Sequence, residues 1–454
     1  MRITFFIFAL IGGSVFAFSD NFLYYEAVAI GLLIYFFLDF IYSLGKKFRI
    51  VDTTILFSIF QCLLMPMIIY HVYNEDKKVI AFEYNMALDK EQYFSFMLYA
   101  VLALIAGIRY PINSRLDSFE KYESLMERIR VYLSDKENIG VILIGVGFGF
   151  GVVENFLPDS LAYFAFLFSK LIFVGILYVY YSQSKAKKWY LIGGIALALI
   201  QALIVGIFGD LVYLTGLSTI LILLGREINF SKSLTITITG IFFILLIQTI
   251  KGDYRKQTWV DDQSVSKASS FFNLVTERLT NADELITKDG LFPMVVRFNQ
   301  GMIVDKVMNY VPAKTPYAEG KTIYLSLAAS FVPRFLWPDK PEAGGHANML
   351  LFTGFDIQGY SMNVGPYGEG YANFGKTGAI IYMFFYGLFF NYVFSVILAK
   401  AQKHPTILLW VPYLFLNSIQ VETDTLLTVN TIIKGTLFIW FCFWLFRRTM
   451  GVSL

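Results

Sequence analysis

A glycine-rich segment at residues 365–378, GPYGEGYANFGKTG, carries a carboxylate and an amide, Glu369 and Asn373. If the segment is helical, residues four apart share one face, and its glycines let another chain or a ligand approach the backbone. A carboxylate placed there can accept a proton as a general base. It can equally stabilise the N-terminus of a helix, where the helix dipole is positive. The residues alone leave both interpretations open.

Residues 326–345, SLAASFVPRFLWPDKPEAGG, place cations in an apolar, proline-rich stretch. The prolines exclude a regular helix, so Arg334 and Lys340 are predicted to be held in extended or turn conformations. An arginine in an apolar segment at a membrane interface is costly unless it meets an anion. Its guanidinium matches phosphate through paired hydrogen bonds, which favours a phosphate-binding role.

Two further sets of polar residues lie nearby in sequence. The segment IKGDYRKQTW brings Asp253 and Arg255 directly after an apolar run, beside Trp259. This pattern is typical of an interfacial anchor, and it also suits anion binding at headgroup depth. His346, in GGHANM, is either a solvated side chain or a proton acceptor. We predict no metal site and no cofactor.

The composition indicates a membrane protein. Hydrophobic residues make up 56% of the chain, charged residues make up 16%, and the mean hydropathy is +0.59. A soluble protein of this length could not keep so much apolar surface from water. The predicted fold is an all-α polytopic membrane protein with about twelve transmembrane helices, at residues 3–18, 22–44, 54–72, 93–108, 138–156, 160–181, 189–207, 209–225, 233–250, 377–399, 405–420 and 427–446.

The distribution of Lys and Arg predicts the orientation of these helices, because cytoplasmic loops collect basic residues. With the N-terminus inside, the basic loops fall on one side, and both termini are cytoplasmic. The first apolar stretch is interpreted as a retained helix. Three regions follow: N-terminal helices over 1–250, one large extracytoplasmic loop with short helices over 251–376, and C-terminal helices over 377–454. Residues 109–138 are predicted to include an amphipathic helix on the cytoplasmic leaflet.

The run FVPRFLWPDKP, followed by GEGYANFG and a spanning helix, resembles the signature of bacterial oligosaccharide repeat-unit polymerases, the Wzy-type O-antigen and exopolysaccharide polymerases. The resemblance implies a GT-C-like fold in the inner membrane. It also implies transfer of a growing glycan from undecaprenyl pyrophosphate to the non-reducing end of another lipid-linked repeat unit, at the periplasmic face. The implied partners are lipid-linked oligosaccharide, the bilayer, a chain-length regulator and a flippase, with no nucleic acid.

The resemblance also assigns residues to this reaction. The family is thought to depend on arginines of the periplasmic loop, and the related ligases on a loop histidine. With the residue chemistry above, Glu369 is the first candidate for the base, followed by Asp253 and His346. The candidates for pyrophosphate binding are Arg255, Arg297, Arg334 and Lys340, and those for sugar binding are Trp337, Tyr371 and Asn373.

Other interpretations stay open. The aromatic residues of the loop could form its own core instead of stacking on sugars. An O-antigen ligase would use the same chemistry with a different acceptor. A flippase or exporter of lipid-linked oligosaccharide would do no chemistry, although it would be expected to line a central cavity with charge and to have small outer loops.

Overall fold

The computed structural model describes residues 2–73, 85–112, 117–157, 159–261, 266–281, 283, 287–332, 336–341, 345–357 and 362–451. Within these ranges every regular element is a helix. The predicted class, an α-helical membrane protein, is therefore confirmed. Arg334 lies outside the described residues.

The N-terminal region forms helices α1 to α11. In chain order these are α1 Arg2–Ala17, α2 Tyr24–Ser43, α3 Ile50–Tyr73, α4 Lys90–Ile108, α5 Phe119–Leu133, α6 Glu137–Val153, α7 Asp159–Ser169, α8 Leu171–Tyr181, α9 Lys187–Val205, α10 Gly209–Leu223 and α11 Phe230–Arg255. The predicted loop contains the short helices α12 Lys267–Thr280, α13 Lys288–Phe298, α14 Gly301–Tyr310, α15 Lys321–Phe331 and α16 His346–Thr353. The C-terminal region contains α17 Gly365–Ala401, α18 Pro405–Phe415 and α19 Thr425–Met450.

Among the described residues, 8 helices are long and apolar enough to cross a membrane. The count rises to 9 if α5 and α6, which are bent by 89° against each other, form one span. All of the predicted spans are helical, but α1, α10 and α18 are short. The 16 residues of α1 cover about 24 Å, less than the roughly 30 Å of a hydrocarbon core. The count of twelve stays a prediction.

The predicted amphipathic helix is present as α5. Tyr122, Leu125 and Ile129 on its apolar face are buried. The ring of Tyr122 meets Phe48 edge-on at 6.4 Å, so this face covers the end of the bundle where α2 ends and α3 begins.

Helices α4 and α17 touch backbone to backbone. A Cβ on Gly107 would lie 2.1 Å from the carbonyl oxygen of Phe384, and one on Gly387 would lie 2.4 Å from that of Leu104. Small residues at such crossings let two helices approach closely in a membrane. The Asn391 side chain, on α17, donates to the carbonyl oxygen of Tyr110 at 2.6 Å, and extends this contact past the end of α4.

Helix α17 is broken at Gly375, whose φ of +67° and ψ of −173° are not helical. Residues 365–374 form a separate buried helix that lies against the spanning part. A Cβ on Gly370 would lie 2.7 Å from the Tyr382 ring and 3.4 Å from Ala379. The helical spacing predicted for Glu369 and Asn373 is confirmed, and the break explains why the apolar span begins near residue 377.

The short helices of the loop dock at one end of the bundle. The Asp305 carboxylate on α14 accepts hydrogen bonds from the backbone amides of Ala87, at 2.6 Å, and Leu88, at 3.0 Å. At the end of α3, the Tyr73 hydroxyl donates to the carbonyl oxygen of Lys288 at 2.6 Å. These contacts place α13 and α14 where α3 ends and α4 begins.

Replacing Gly375 by alanine should destabilise the protein. The φ and ψ at this position are accessible essentially to glycine alone, and an alanine Cβ would lie 3.3 Å from the Tyr317 ring. We expect Gly375→Ala to cost about 1–3 kcal/mol and to lower the melting temperature of the purified protein. The control is Gly240→Ala in α11, where no atom lies within 4 Å of the new Cβ. Equal melting temperatures for both variants would show that the break is not strained.

Candidate functional site

The end of α11 carries cations. Its helical run, Phe230–Trp259, has 30 residues and so is about 45 Å long. A hydrocarbon core is only about 30 Å thick. Polar residues lie at both ends of the run, so its length allows Lys251 and Arg255 to lie at headgroup depth, at the end of the bundle that carries the loop helices.

Arg255 is held in place by its neighbours. Its Nε donates to the carbonyl oxygen of Gly206 at 3.0 Å, and its guanidinium lies over the Trp259 ring, 4.8 Å from the centroid. The arginine–tryptophan contact is therefore present, while its predicted role as an interfacial anchor stays a prediction. The positive charges of Arg255 and Arg297 repel each other, which links Arg255 to a larger group of charges.

The cation cluster consists of Lys251, Arg255, Arg297 and their counter-ion Glu422. Arg297, on α13, pairs with Glu422 at 2.9 Å. Lys251 is repelled by both arginines and attracted by Glu422. The three cations and the one carboxylate of this cluster leave an excess of positive charge at a partly exposed position. Such a cluster suits an anion with more than one negative charge.

Glu422 lies in the connection between α18 and α19 and was not predicted. One carboxylate oxygen binds Arg297, whereas the other, Oε2, is buried with no hydrogen-bond partner among the residues that the structure describes. It faces a narrow internal space lined also by Gln300, Gly365 and Tyr367. The signal in the sequence was QVETDT, a short acidic connection between two apolar helices on the predicted outer side.

Glu369 is completely buried and its carboxylate is fully engaged. One oxygen accepts from the Asn348 amide at 3.2 Å. The other accepts from the Thr425 backbone amide at 2.9 Å and from the Thr425 hydroxyl. These contacts tie residues 365–374 to α16 and to the N-terminus of α19. Its role as the base stays a prediction, and the structure gives it a positioning role.

Asn373 and Tyr371 hold the same short helix in place. The Asn373 amide donates to the Glu369 carbonyl oxygen at 2.8 Å and to the Thr322 hydroxyl at 2.7 Å. The Tyr371 ring packs against Phe96, with ring centroids 5.2 Å apart. Their predicted role in sugar binding is untested, and both side chains already have partners within the protein.

The other candidate bases, Asp253 and His346, each contact a charged side chain of their own. Asp253 pairs with Arg278 of α12 at 2.5 Å. His346 pairs with Asp356 at 2.8 Å, and both of these side chains are about half exposed. Neither residue contacts Glu369 or Glu422 through a hydrogen bond that the structure describes.

Within the proline-rich segment, Lys340 and Trp337 are described. The Lys340 ammonium donates to the carbonyl oxygens of Ala329 and Val332, each at 3.0 Å. Lysine is favourable there because the last carbonyls of α15 lack partners within the helix. Trp337 is partly buried. The structure thus gives Lys340 a capping role, while its predicted contact with pyrophosphate stays a prediction.

Residues 50–403 match the family described as "Domain of unknown function (DUF8712)". No curated protein and no solved structure matches the chain. The matched range runs from the start of α3 past the end of α17. It contains Lys251, Arg255, Arg297 and Glu369, and ends before Glu422.

Substitutions of Glu369 should distinguish the contribution of its hydrogen bonds to stability from the contribution of its negative charge. Glu369→Ala removes the acceptor of the buried Thr425 groups, at a cost of about 1–3 kcal/mol, and should lower the melting temperature. Glu369→Gln should cost less, because its amide oxygen can still accept from Thr425 and the Asn348 amide can rotate. Melting of the purified variants measures both effects. A wild-type melting temperature for Glu369→Ala would contradict the positioning role.

Asp305 should make stability depend on pH. Burial raises the pKa of its carboxyl to about 6, against the effect of the amides of Ala87 and Leu88 and the charge of Lys306. Because the pKa is raised in the folded state, the contribution of Asp305 to stability is largest at low pH and falls as pH rises between about 4 and 6.

Asp305→Asn cannot ionise. The wild type should therefore lose stability relative to this variant over that range, by roughly 3 kcal/mol at most. Melting temperatures of both proteins, measured from about pH 4 to about pH 7 so that the range brackets the pKa of about 6, check this prediction. Asp289→Asn, an exposed carboxylate on α13, is the control. Parallel pH profiles for wild type and Asp305→Asn would contradict the raised pKa.

Proposed function

We propose that this chain, which belongs to the DUF8712 family of unknown function, polymerises lipid-linked oligosaccharide repeat units. In this proposal the growing glycan is transferred from undecaprenyl pyrophosphate to the non-reducing end of another lipid-linked repeat unit. The reaction takes place at the periplasmic face of the bacterial inner membrane, which the distribution of Lys and Arg predicts for the loop helices.

The cation cluster carries the proposal: Arg297 is paired with Glu422 at 2.9 Å, and the charges of Lys251 and Arg255 interact with that of Arg297. The leaving group is a pyrophosphate attached to a lipid, so its charge develops at headgroup depth. Cations fixed there in advance stabilise the transition state more than cations that must be gathered. Arginine adds paired hydrogen bonds to phosphate oxygens. Trp259 beside Arg255 suits the same interface.

Glu422 is the proposed base. The bond between the donor sugar and its pyrophosphate oxygen breaks as the acceptor hydroxyl attacks the anomeric carbon, and the hydroxyl proton goes to the carboxylate. The released undecaprenyl pyrophosphate keeps the electron pair of the broken bond. Glu422 is preferred over Glu369 because it is partly exposed and paired with Arg297 of the cation cluster, whereas Glu369 is completely buried and both of its oxygens are engaged.

Substitutions in the cation cluster should abolish polymer. The gene is deleted in its host and complemented with wild type, Arg297→Gln, Arg255→Gln or Glu422→Gln, and the surface glycan is separated on a gel. We expect the ladder to disappear and a single-repeat band to remain, because export and ligation still work. Lys256→Gln, an exposed cation on the same helical run, is the control and should give a normal ladder. Immunoblots of membranes check the protein level.

The same gel distinguishes the alternatives. Loss of every band, including the single repeat, would indicate a ligase or a flippase. A normal ladder from Arg297→Gln and Arg255→Gln would show that the cation cluster is not the pyrophosphate site. Two variants test the earlier predictions: polymer from Arg334→Ala would exclude Arg334 as essential, and polymer from Glu369→Gln would exclude Glu369 as the base.

A further inference from the structure

A second charged cluster lies at the opposite end of the bundle. It forms where α2 ends, α3 begins and α4 ends, and α3 is 24 residues long. The two ends of α3 are therefore about 36 Å apart. We name this the inner cluster, and it consists of Arg2, Asp39, Lys47, Arg49, Asp52, Arg109 and Asp117.

Arg49 is the buried centre of the inner cluster. Its side chain is only 3% exposed and donates to Asp52 at 2.6 Å and to Asp39 at 3.2 Å. Its Nε is buried and meets no acceptor within the part of the chain that the structure describes. A buried donor without an acceptor costs about 1–3 kcal/mol. This group therefore points to an acceptor supplied from outside the chain.

The cations of the inner cluster outnumber its carboxylates. Asp39 is shared by Arg2 at 3.0 Å, Arg49 at 3.2 Å and Arg109 at 3.6 Å. Arg109 also reaches Asp52 at 3.0 Å. Lys47 pairs with the last carboxylate, Asp117, at 2.9 Å. The four cations and three carboxylates of the inner cluster therefore sum to one net positive charge.

A cavity of about 210 Å³ opens beside these cations. Its lining includes Lys47, Arg49 and Arg109, the carboxylates Asp52 and Asp117, and Asn391 and Ser395 of α17. The three cations exceed the two carboxylates by one. The Asn391 amide already donates to the carbonyl oxygens of Gly107 and Tyr110, so the cations and the open donor of Arg49 are the groups that can bind an anion. This is the donor set that phosphate oxygens require.

We propose that the inner cluster binds a phosphate-bearing anion. Lys and Arg concentrate on the predicted cytoplasmic side, and the anionic lipids of that leaflet attract such clusters. The phosphate is carried either by a lipid headgroup or by a soluble molecule, and the chemistry of recognition is the same. The proposal does not depend on the proposed function, because it concerns the other end of the bundle.

Binding is measured on the purified full chain with two probes. Inorganic phosphate is titrated, with melting temperature as the readout, against chloride at equal ionic strength. Phosphatidylglycerol is added to delipidated protein, and retained lipid is counted by native mass spectrometry. We expect one or both probes to bind the wild type. Phosphate binding identifies a soluble ligand, and binding of the lipid alone identifies a headgroup.

Substitutions assign the binding to this cavity. Lys47→Gln and Arg109→Gln should each weaken it by at least about tenfold, since one charge-assisted hydrogen bond contributes about 1.5–3 kcal/mol and about 1.4 kcal/mol corresponds to a factor of ten. Both residues are partly exposed, so their loss should leave the fold intact. Lys46→Gln is the matched control, because the Lys46 ammonium lies 3.9 Å from the Tyr42 ring centroid and does not line the cavity.

The proposal is overturned if neither probe binds the wild type. It is equally overturned if Lys46→Gln weakens binding as much as Lys47→Gln and Arg109→Gln do, because the attraction would then be a property of the whole basic surface. Melting in the absence of either probe, compared across the variants, shows whether a loss of binding reflects a loss of folded protein.

Discussion

The buried carboxylate of Glu369 joins the segments on which the proposed site depends. It accepts hydrogen bonds from α16 and from the first residue of α19, and it lies on the helix before the break at Gly375. Glu422 lies three positions before Thr425 in the chain, so the bond that holds Thr425 also limits where Glu422 can be. A carboxylate without these donors would be costly to bury. The hydrogen bonds that the buried Glu369 accepts therefore also limit the position of Glu422, the proposed base.

Charge in this protein is concentrated at the two ends of the bundle, and the two clusters differ in their balance. At the loop end, the cluster holds three cations and one carboxylate, Glu422, of which one oxygen pairs with Arg297. At the other end, cations and carboxylates nearly balance around Arg49. An excess of charge is tolerated only near water or headgroups, because desolvation of an unpaired ion costs several kcal/mol. The larger excess of positive charge at the loop end thus fits a ligand that binds and is released. The smaller excess at the other end fits a ligand that stays bound.

The elements of the fold were predictable where the pattern is local. The apolar runs, the amphipathic helix α5 and the helical spacing of Glu369 and Asn373 follow from side-chain periodicity. Contacts distant in sequence were not predictable. Arg297 and Glu422 are 125 residues apart, and no periodicity links them, so Arg297 was named through a resemblance and Glu422 was missed. The capping of α15 by Lys340 through two backbone carbonyls was also not predicted, because no periodicity of the motif indicates it; its predicted contact with pyrophosphate stays a prediction.

The contact between Gly107 and Gly387 has a mechanical consequence. Two helices that meet without side chains between them cannot slide or rotate past one another without a steric clash, so α4 and α17 must move as one rigid body. Under the proposed function, the motions that admit a bulky lipid-linked substrate then have to come from other helices. Two stretches of α3, Phe60–Leu64 and Ile69–Tyr73, are π-helical, and helices bend at such turns, which are frequent at functional sites. We therefore expect α3 to bend against the rigid α4–α17 pair.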